Sequence, residues 1–370
     1  MAPESHRRMS RWIYNFRRRT WRLRRHLHAA ARYVTVRRMV NLARVELERM
    51  RGAVEVSGKP YILVIDPLNV CNLRCPLCLT GTGDLPLKPG KMKLDRFRAL
   101  IDEIAPHTFK IIMYNWGEPF LHKDILPMVR HAHERRVGTV ISSNLNILPE
   151  GGAEAVVRSG LDDLVVSCDG LSQEVYAKYR RGGKVETVIE NLRKLVEAKK
   201  RLRSRTPMIE FQYLVFRHNE HEASRAEEFA YDLGVDFVRL TQPYLDEANP
   251  EFQPASDTDF VRPQYQDAPP ENADKLDIFR PTADQEACAK EFPSPIKCFW
   301  PWRSMTINWN GQVDPCCRGN YFDAFGNVFD DGFAAVWNGP EYHYARKWIT
   351  GKVGQDDPKR IVCRGCPGYN

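Results

Sequence analysis

A regular alternation of short apolar runs and amphipathic segments occupies residues 61–244 and constrains the fold more than any other feature. The runs have the length and composition of strands, and the segments between them show helical periodicity. Strands are predicted at Tyr61–Asp66, Phe109–Tyr114, Gly138–Ser143, Asp163–Ser167, Ile209–Phe216 and Asp236–Leu240, and helices near 94–105, 122–136, 150–159, 185–203 and 220–233. Because a helix between consecutive strands supplies the crossover that parallel strands require, the pattern predicts a parallel α/β sheet. An open six-stranded sheet and a partial barrel fit it equally well.

Unusual polar motifs follow five of the predicted strands, at the ends where ligand sites of parallel α/β folds lie. The first strand leads into three cysteines, and later strands lead into short polar segments. In chain order these motifs are Cys71–Cys78, Asn115–Pro119, Ser142–Asn144, Ser167–Gly170 and Thr241–Pro243. Each motif alone is a weak signal, since Gly-Glu-Pro and Asp-Gly are common turns. Their order on successive strands indicates one shared site.

The three cysteines Cys71, Cys75 and Cys78 have the spacing C-x3-C-x2-C. A structural zinc ion or a self-contained cubane cluster takes four protein ligands. No fourth Cys or His stands close by in the sequence. The pattern therefore favours a 4Fe–4S cluster with one iron open to a further ligand over a zinc knuckle.

The chain has 370 residues and ten cysteines, enough for one large and one small domain. No apolar run reaches the roughly 18 residues of a membrane span, and arginines interrupt every candidate signal-peptide core. Cysteines without an export signal predict metal or redox use rather than disulfides. We therefore expect a cytoplasmic protein.

Residues 1–55 form a basic arm, because the first 50 residues carry 14 Arg, no Lys and three Glu, a net charge of +11. The other 320 residues carry 41 basic and 44 acidic groups. One face of a predicted amphipathic helix in the arm consists of Ile13, Phe16, Thr20, Leu23, Leu27, Ala30 and Val34. Three readings stay open: a helix on an anionic membrane surface, a nucleic-acid arm, or a helix packed on the main domain or a dimer partner with its arginines in water.

The C-terminal part of the chain contains a linker and a second cysteine set. Residues 245–297 are rich in Pro, Asp, Glu, Asn and Gln, without periodicity, which predicts a long linker or lid. A hairpin with an Asn-Gly turn is predicted at residues 305–313. The cysteines around it are Cys298, Cys316, Cys317, Cys363 and Cys366.

These motifs together resemble the radical S-adenosylmethionine (radical SAM) enzymes with a C-terminal SPASM extension. The resemblance covers about 56–244 and 298–370. It implies a partial (β/α)6 barrel and a small C-terminal iron–sulfur domain, while the basic amphipathic N-terminal helix lies outside it and is predicted from periodicity alone. The implied cofactors are a 4Fe–4S cluster on the first three cysteines, S-adenosyl-L-methionine (SAM), and one auxiliary 4Fe–4S cluster. The ligands of the auxiliary cluster would be Cys298, Cys316, Cys363 and Cys366.

The resemblance also implies the residues that contact SAM. Those at the ends of the strands are Gly117, Glu118, Pro119, Ser143, Asn144, Ser167, Asp169 and Gln242, to which Arg180 and Leu77 are added. Gly117–Pro119 would receive the SAM amino group, and Arg180 would clamp the SAM carboxylate. Leu77 departs from the family, in which this position is often aromatic and packs on adenine. Each residue also has a structural reading as a turn, a strand-end cap or, for Arg180, a surface cation.

Cys317 directly follows an implied cluster ligand and is a candidate catalytic residue. It could donate a hydrogen atom to a substrate radical, replace Cys316 as ligand, or simply be a small residue beside the cluster. The donor role predicts a redox-neutral epimerisation. Without it, an auxiliary cluster would accept the electron of a net dehydrogenation.

The implied function is reductive cleavage of SAM to a 5′-deoxyadenosyl radical that abstracts hydrogen from a substrate C–H bond, with electrons from a flavodoxin or ferredoxin. Expected substrates are a sugar, an amino sugar or a lipid-linked molecule reached through the arm. Nothing as long as a winged-helix peptide-recognition domain precedes Tyr61, which lowers the expectation of a peptide substrate. A different class of function, a non-catalytic iron–sulfur electron carrier or nucleic-acid sensor, has no need of the Gly-Glu-Pro and Ser-x-Asp-Gly segments.

Overall fold

A computed structural model describes most of the chain outside the first residues and the linker. The described residues are 16–17, 19–21, 23–25, 27–29, 31–241, 243, 251–253, 255, 298–316, 324–353, 361 and 363. Three residues of the expected site, Gln242, Cys317 and Cys366, lie outside them, as does most of the segment 245–297.

An eight-stranded open sheet forms the centre of the described structure, in the order β6-β5-β4-β3-β2-β1-β7-β8. All neighbours pair in parallel except β7 and β8, which pair antiparallel. The strands are β1 Ile62–Ile65, β2 Lys110–Ile112, β3 Gly138–Ser143, β4 Asp163–Ser167, β5 Met208–Leu214, β6 Phe237–Thr241, β7 Ser304–Ile307 and β8 Val313–Asp314. The predicted α/β fold is confirmed, and the sheet is open rather than closed.

Helices connect the parallel strands and cover one face of the sheet. An arm helix α1 has its described residues between 16 and 33. The others are α2 Val36–Met50, α3 Leu79–Thr82, α4 Leu94–Ile104, α5 Ile125–Glu134, α6 Gly152–Arg158, α7 Gln173–Tyr179, α8 Val185–Arg201, α9 Ala223–Leu233, α10 Trp300–Arg303, α11 Phe333–Trp337 and α12 Pro340–Ile349. No helix among these described residues is long and apolar enough to span a bilayer.

The two faces of the sheet differ in polarity because side chains alternate along each strand. In β4, Leu164 and Val166 point to the core beneath the helices, where they join one large hydrophobic cluster. Asp163, Val165 and Ser167 occupy the other face and lie outside that cluster. This second face is the inner face of the partial barrel.

The C-terminal part of the chain extends the main sheet. β7 pairs in parallel with β1, so that Thr306 stands opposite Val64. The hairpin turn forms at the predicted Asn-Gly, where Gly311 has φ +89°. Arg346 in α12 is fully buried and donates hydrogen bonds to the carbonyl oxygens of Pro301 and Val54. The segment is therefore joined to the barrel by a strand and by buried hydrogen bonds.

The arm helix α1 closes the end of the inner face at which the strands begin. Trp21 is buried and stacks on Phe237, the first residue of β6, with ring centroids 4.5 Å apart. Arg25 pairs with Asp163, the first residue of β4, at 3.0 Å. The arm thus packs on the main domain, and its arginines make part of that contact.

The packing reverses the predicted face of the arm. If the helix packed on the domain, its apolar face was expected inside and its arginines in water. Phe16, Leu23, Leu27 and Val34 of that face are instead exposed. The expectation was wrong because the surface at the start of the strands carries carboxylates that pair with arginine.

Candidate functional site

The cysteine loop begins after β1 and is held by close backbone contacts. Cys78 N donates to Cys75 O at 3.1 Å, and Leu73 N donates to Cys71 Sγ at 3.4 Å. A Cβ on Gly81 would overlap the backbone of Cys75. The described residues contain no preformed group of three or more Cys, His, Asp or Glu side chains placed to hold a metal ion.

The loop after β2 lies directly against the cysteine loop. A Cβ on Gly117 would overlap the carbonyl oxygen of Leu68, so only glycine fits there. Glu118 N then donates to Val70 O at 2.9 Å. The Gly-Glu-Pro segment is therefore a contact surface for the cysteine loop.

The carboxylate of Glu118 points into the protein. Its Oε1 accepts from Phe120 N at 3.1 Å, and its Oε2 accepts from Asn144 N at 2.7 Å. Burial raises the pKa of Glu118 to about 7, against the lowering effect of the two backbone hydrogen bonds. Glu118 therefore ties the loop after β2 to the loop after β3.

Asn144 connects the loop after β3 to the cysteine loop. Its Nδ2 donates to Asn72 Oδ1 at 2.9 Å and lies 3.7 Å from Cys71 Sγ. The preceding Ser143 Oγ accepts from Leu145 N at 2.9 Å. Asn72 was missed from the sequence, although it stands inside the cysteine motif.

The end of β4 carries a buried ion pair that reaches the same loop. Arg180 Nε donates to Asp169 Oδ2 at 2.5 Å, and Arg180 Nη1 lies 3.9 Å from Cys75 Sγ. The second oxygen of Asp169 accepts from Leu214 N at 2.7 Å. Asp169 is fully buried, so Arg180 is not the solvated surface cation of the structural reading.

Ser167, Gly170 and Leu77 complete the expected contacts that the structure describes. Ser167 Oγ lies 3.4 Å from Ser142 Oγ. A Cβ on Gly170 would overlap Tyr176 N, so this glycine permits the close packing of α7. Leu77 packs in a small apolar cluster that includes Phe216 and Phe252.

The inner face of the sheet is strongly polar, which the sequence reading missed. Lys110 Nζ lies 2.7 Å from Asp163 Oδ2, and Arg239 pairs with Glu210 and donates to Gln212 Oε1 at 2.8 Å. The signal was present, since polar residues alternate with apolar ones in β4, β5 and β6.

Three polar atoms on or directly after β7 have no hydrogen-bond partner within the described part of the chain. They are Ser304 Oγ, Thr306 Oγ1 and Asn308 Oδ1, all on buried residues. Register places Thr306 on the same face as Val64, which is the inner face. Buried polar atoms of this kind need a partner, and a bound polar molecule could supply it.

The described auxiliary cysteines lie around the C-terminal helices. Cys298 precedes α10, Cys316 follows β8, and Cys298 and Cys363 both pack against the main core. Burial raises the pKa of the Tyr342 hydroxyl, and the neighbouring Cys316 and Cys363 act in the same direction. Two of the four expected ligands therefore share one buried neighbour.

An open cavity of about 570 Å³ lies on the outer side of the cysteine loop. Arg74 and Arg181 give the lining a positive charge. The other lining residues are Asn72, Pro76, Gly81, Thr82 and Gly182. Arg181 also pairs with Glu251. The cavity borders the residues next to Cys71 and Cys75.

Comparison with known proteins identifies two domains. Residues 65–230 match the model of the Radical SAM superfamily, and residues 298–367 match the SPASM model, an iron–sulfur cluster-binding domain. Among curated relatives, AdoMet-dependent heme synthase of Methanosarcina barkeri is 22% identical and aligns over 85% of this chain and 93% of its own. Fe-coproporphyrin III synthase of the same organism is 29% identical, over 34% of this chain and only 31% of its own length.

Among solved structures, Streptococcus suis SuiB has a similar fold. Its structure bound to S-adenosylmethionine gives a TM-score of 0.60 at 15% identity, covering 82% of this chain and 71% of SuiB. Its structure bound to the precursor peptide SuiA gives a TM-score of 0.60 at 14% identity, covering 83% and 69%.

Proposed function

The chain belongs to the radical SAM superfamily and carries a C-terminal SPASM domain, and on this premise we propose that it oxidises or epimerises a polar small molecule. The observation that supports this proposal is that the loops after β1, β2 and β3 meet around Cys71. The Asn144 amide contacts the Cys71 sulfur, and the Glu118 carboxylate accepts a hydrogen bond from Asn144 N. A non-catalytic electron carrier would have no use for such a cradle.

The residues of the cysteine loop fit a 4Fe–4S cluster with three protein ligands. Cys71, Cys75 and Cys78 would hold it, and soft thiolate donors suit iron–sulfur clusters. Arg180 Nη1 and Asn144 Nδ2 lie near two of the sulfurs and would stabilise thiolate charge. When bound, the cluster and SAM supply a 5′-deoxyadenosyl radical that can take hydrogen from an unactivated C–H bond.

We assign the SAM contacts with two changes of role, at Glu118 and at Asp169. Because both carboxylate oxygens of Glu118 already accept backbone hydrogen bonds, Glu118 is a positioning residue, and the backbone carbonyl groups of Gly117–Pro119 receive the SAM ammonium. Ser143, Asn144 and Ser167 contact the SAM carboxylate and ribose. Asp169 fixes Arg180, whose remaining N–H groups serve the carboxylate. Leu77 packs on adenine, and Gln242 stays an expected contact.

A sugar or amino sugar is the proposed substrate class. The inner face offers Ser304 Oγ, Thr306 Oγ1 and Asn308 Oδ1 as polar atoms without hydrogen-bond partners in the described residues. The same face carries the ion-paired side chains of Lys110 and Glu210. Such a surface favours a molecule rich in hydroxyl or amino groups. A lipid-linked substrate reached through the arm loses support, because the arm closes the opposite end of the strands. A peptide, as in the SuiB complex, is the alternative substrate.

The C-terminal segment 298–370 would bind the auxiliary cluster through Cys298, Cys316, Cys363 and Cys366. Cys317 stays a candidate hydrogen-atom donor. Arg74, which lines the cavity beside the cysteine loop, would contact an acidic electron donor such as flavodoxin or ferredoxin through its positive charge.

The test is anaerobic reconstitution with iron and sulfide, followed by reduction with dithionite in the presence of SAM. We expect 5′-deoxyadenosine by mass spectrometry from the wild type and none from Cys75→Ala. Candidate sugars and peptides labelled with deuterium then identify the substrate, because the abstracted deuterium appears in 5′-deoxyadenosine. An intact cluster that forms no 5′-deoxyadenosine would support the electron-carrier function instead.

A further inference from the structure

Exposed apolar side chains are concentrated on α1, α2 and the short connection between them. Nine of the ten exposed large hydrophobic residues in the described part of the chain lie there. They are Phe16, Leu23, Leu27, Val34, Val36, Met39, Val40, Leu47 and Met50. The most exposed, Val36, has 82% of its surface open to solvent. Contiguous exposed apolar surface of this kind marks an interaction site.

The exposed residues form a stripe on each helix. On α1, Leu23 and Leu27 are one helical turn apart, and Phe16 lies two turns before Leu23. On α2, Val36, Val40, Leu47 and Met50 follow the same periodicity, while Arg38, Asn41 and Val45 are buried on the other side. We call these two stripes together the arm face.

The inner contacts of both helices fix the arm face outward. Trp21 is stacked on Phe237, and Arg25 is paired with Asp163. Arg38 is buried in α2 and donates to Ala105 O at 2.7 Å. Turning the apolar stripes inward would break these contacts, so the stripes are available to a partner.

The arm face is positively charged, and the described acidic residues of the arm do not neutralise this charge. Arg19, Arg37 and Arg44 are exposed beside the apolar stripes. The two described glutamates face the protein instead. Glu46 pairs with Arg303 and Arg49, and Glu48 accepts hydrogen bonds from Ser57 and Gly58.

We propose that the arm face docks the protein on an anionic membrane surface. Apolar stripes flanked by arginine match a lipid interface, in which the apolar side chains enter the headgroup boundary and the guanidinium groups meet anionic headgroups. A second copy docking on the same face would bring like charges together. A nucleic acid would leave the large aliphatic side chains without a partner.

Docking in this way sets the orientation of the site. The arm face lies at the end where the strands begin, whereas the cysteine loop lies where they end. The cysteine loop would therefore face away from the membrane. The inference is independent of the proposed substrate, since it concerns only where the protein is held.

The test is flotation of the full-length reconstituted protein with vesicles of phosphatidylcholine, with and without phosphatidylglycerol. We expect binding that is at least about tenfold tighter with phosphatidylglycerol and that weakens as salt rises. A variant with Leu23→Ser, Leu27→Ser and Val40→Ser should lose about tenfold in binding. Arg19→Gln with Arg44→Gln should weaken binding to the anionic vesicles selectively.

A matched control removes the same charge elsewhere. Arg193→Gln with Arg205→Gln changes two exposed arginines outside the arm face and should bind like the wild type. Equal iron content and circular dichroism would show that each variant is folded. The proposal is overturned if the wild type fails to bind anionic vesicles or if the serine variant binds them as tightly as the wild type. It is also overturned if DNA competes with the vesicles. A fourth contrary result is a dimer of the wild type in sedimentation that the serine substitutions dissociate without changing vesicle binding.

Discussion

At the scale of single residues, Asn144 is the link between the polar loops and the cysteines. Its backbone N–H donates a hydrogen bond to the Glu118 carboxylate on one side, and its side-chain amide faces Asn72 and Cys71 on the other. Hydrogen bonds to a cluster sulfur tune its charge and potential. A residue chosen from the sequence as a SAM contact therefore has a second role on the cysteine side.

The first prediction concerns this amide. Asn144→Ala should slow 5′-deoxyadenosine formation roughly fivefold, since a hydrogen bond contributes about 1 kcal/mol, and should shift the reduction potential of the first cluster. Asn41→Ala is the control, because this buried asparagine of α2 donates its amide to Lys59 O at 2.8 Å and no contact to a cysteine is described for it. An unchanged potential in Asn144→Ala would remove its role at the sulfur.

The second prediction concerns the buried pair of Asp169 and Arg180. Asp169→Asn should destabilise the protein by about 3–5 kcal/mol, because it leaves the guanidinium without its counter-charge inside the protein. Chemical denaturation measures the loss. Glu154→Gln is the control, since that exposed carboxylate pairs with Arg158 on the surface and should change stability little. Equal stability of the two variants would contradict the buried-pair assignment.

At the scale of elements, much of the sheet was predictable from local pattern. Strands Gly138–Ser143 and Asp163–Ser167 have the predicted bounds, because their apolar runs end in polar loops that no strand continues. The pairing of β7 with β1 was not predictable. A hairpin signal gives the turn at Gly311, but which edge the hairpin joins depends on contacts distant in sequence.

The arm also shows that sequence periodicity does not predict contacts between residues distant in the chain. Periodicity identified the stripe with Leu23 and Leu27, yet it gave no information on which side docks. That choice depends on Asp163 and Phe237, which lie more than 130 residues away. Part of the candidate site was predictable from the sequence, because motifs at the ends of parallel strands lie close together in any parallel sheet. The roles of Asn72 and of the inner-face residues depend on the three-dimensional arrangement and were not predictable.

The third prediction concerns the contact of the loop after β2 with the cysteine loop. Gly117→Ala should lower iron incorporation and thermal stability, since the added methyl group overlaps a backbone carbonyl and displacing it costs about 1–3 kcal/mol or more. Gly83→Ala at the end of α3 is the control for backbone strain, because a Cβ there meets nothing within 4 Å while φ is +85°. It should lower stability by about 1–2 kcal/mol without lowering iron incorporation. Normal iron content in Gly117→Ala would show that the loops are not in firm contact.

At the scale of the whole molecule, the open sheet separates three tasks. The ends of β1–β4 carry the cysteine loop and its polar supports, the extension through β7 brings the auxiliary cysteines to the same body, and the arm closes the start of the strands. The inner face between these ends is polar, which suits the proposed hydrophilic substrate.

The fourth prediction concerns the second cysteine set. Cys316→Ala should reduce iron content by about four atoms per chain, because loss of one ligand weakens a four-cysteine cluster, while SAM cleavage at the first cluster continues. Oxidised product should fall far more than 5′-deoxyadenosine. Iron analysis and product ratios measure this. Parallel loss of both products would contradict separate roles for the two clusters, and full activity would favour Cys317 as the ligand.

The most direct test of the central claim is electron paramagnetic resonance of the reduced Cys316→Ala protein, in which only the first cluster should contribute. Adding SAM should change the g values, because SAM would ligate the iron that has no cysteine. Spectra that are identical with and without SAM would contradict an open iron at Cys71, Cys75 and Cys78, and with it the proposed chemistry.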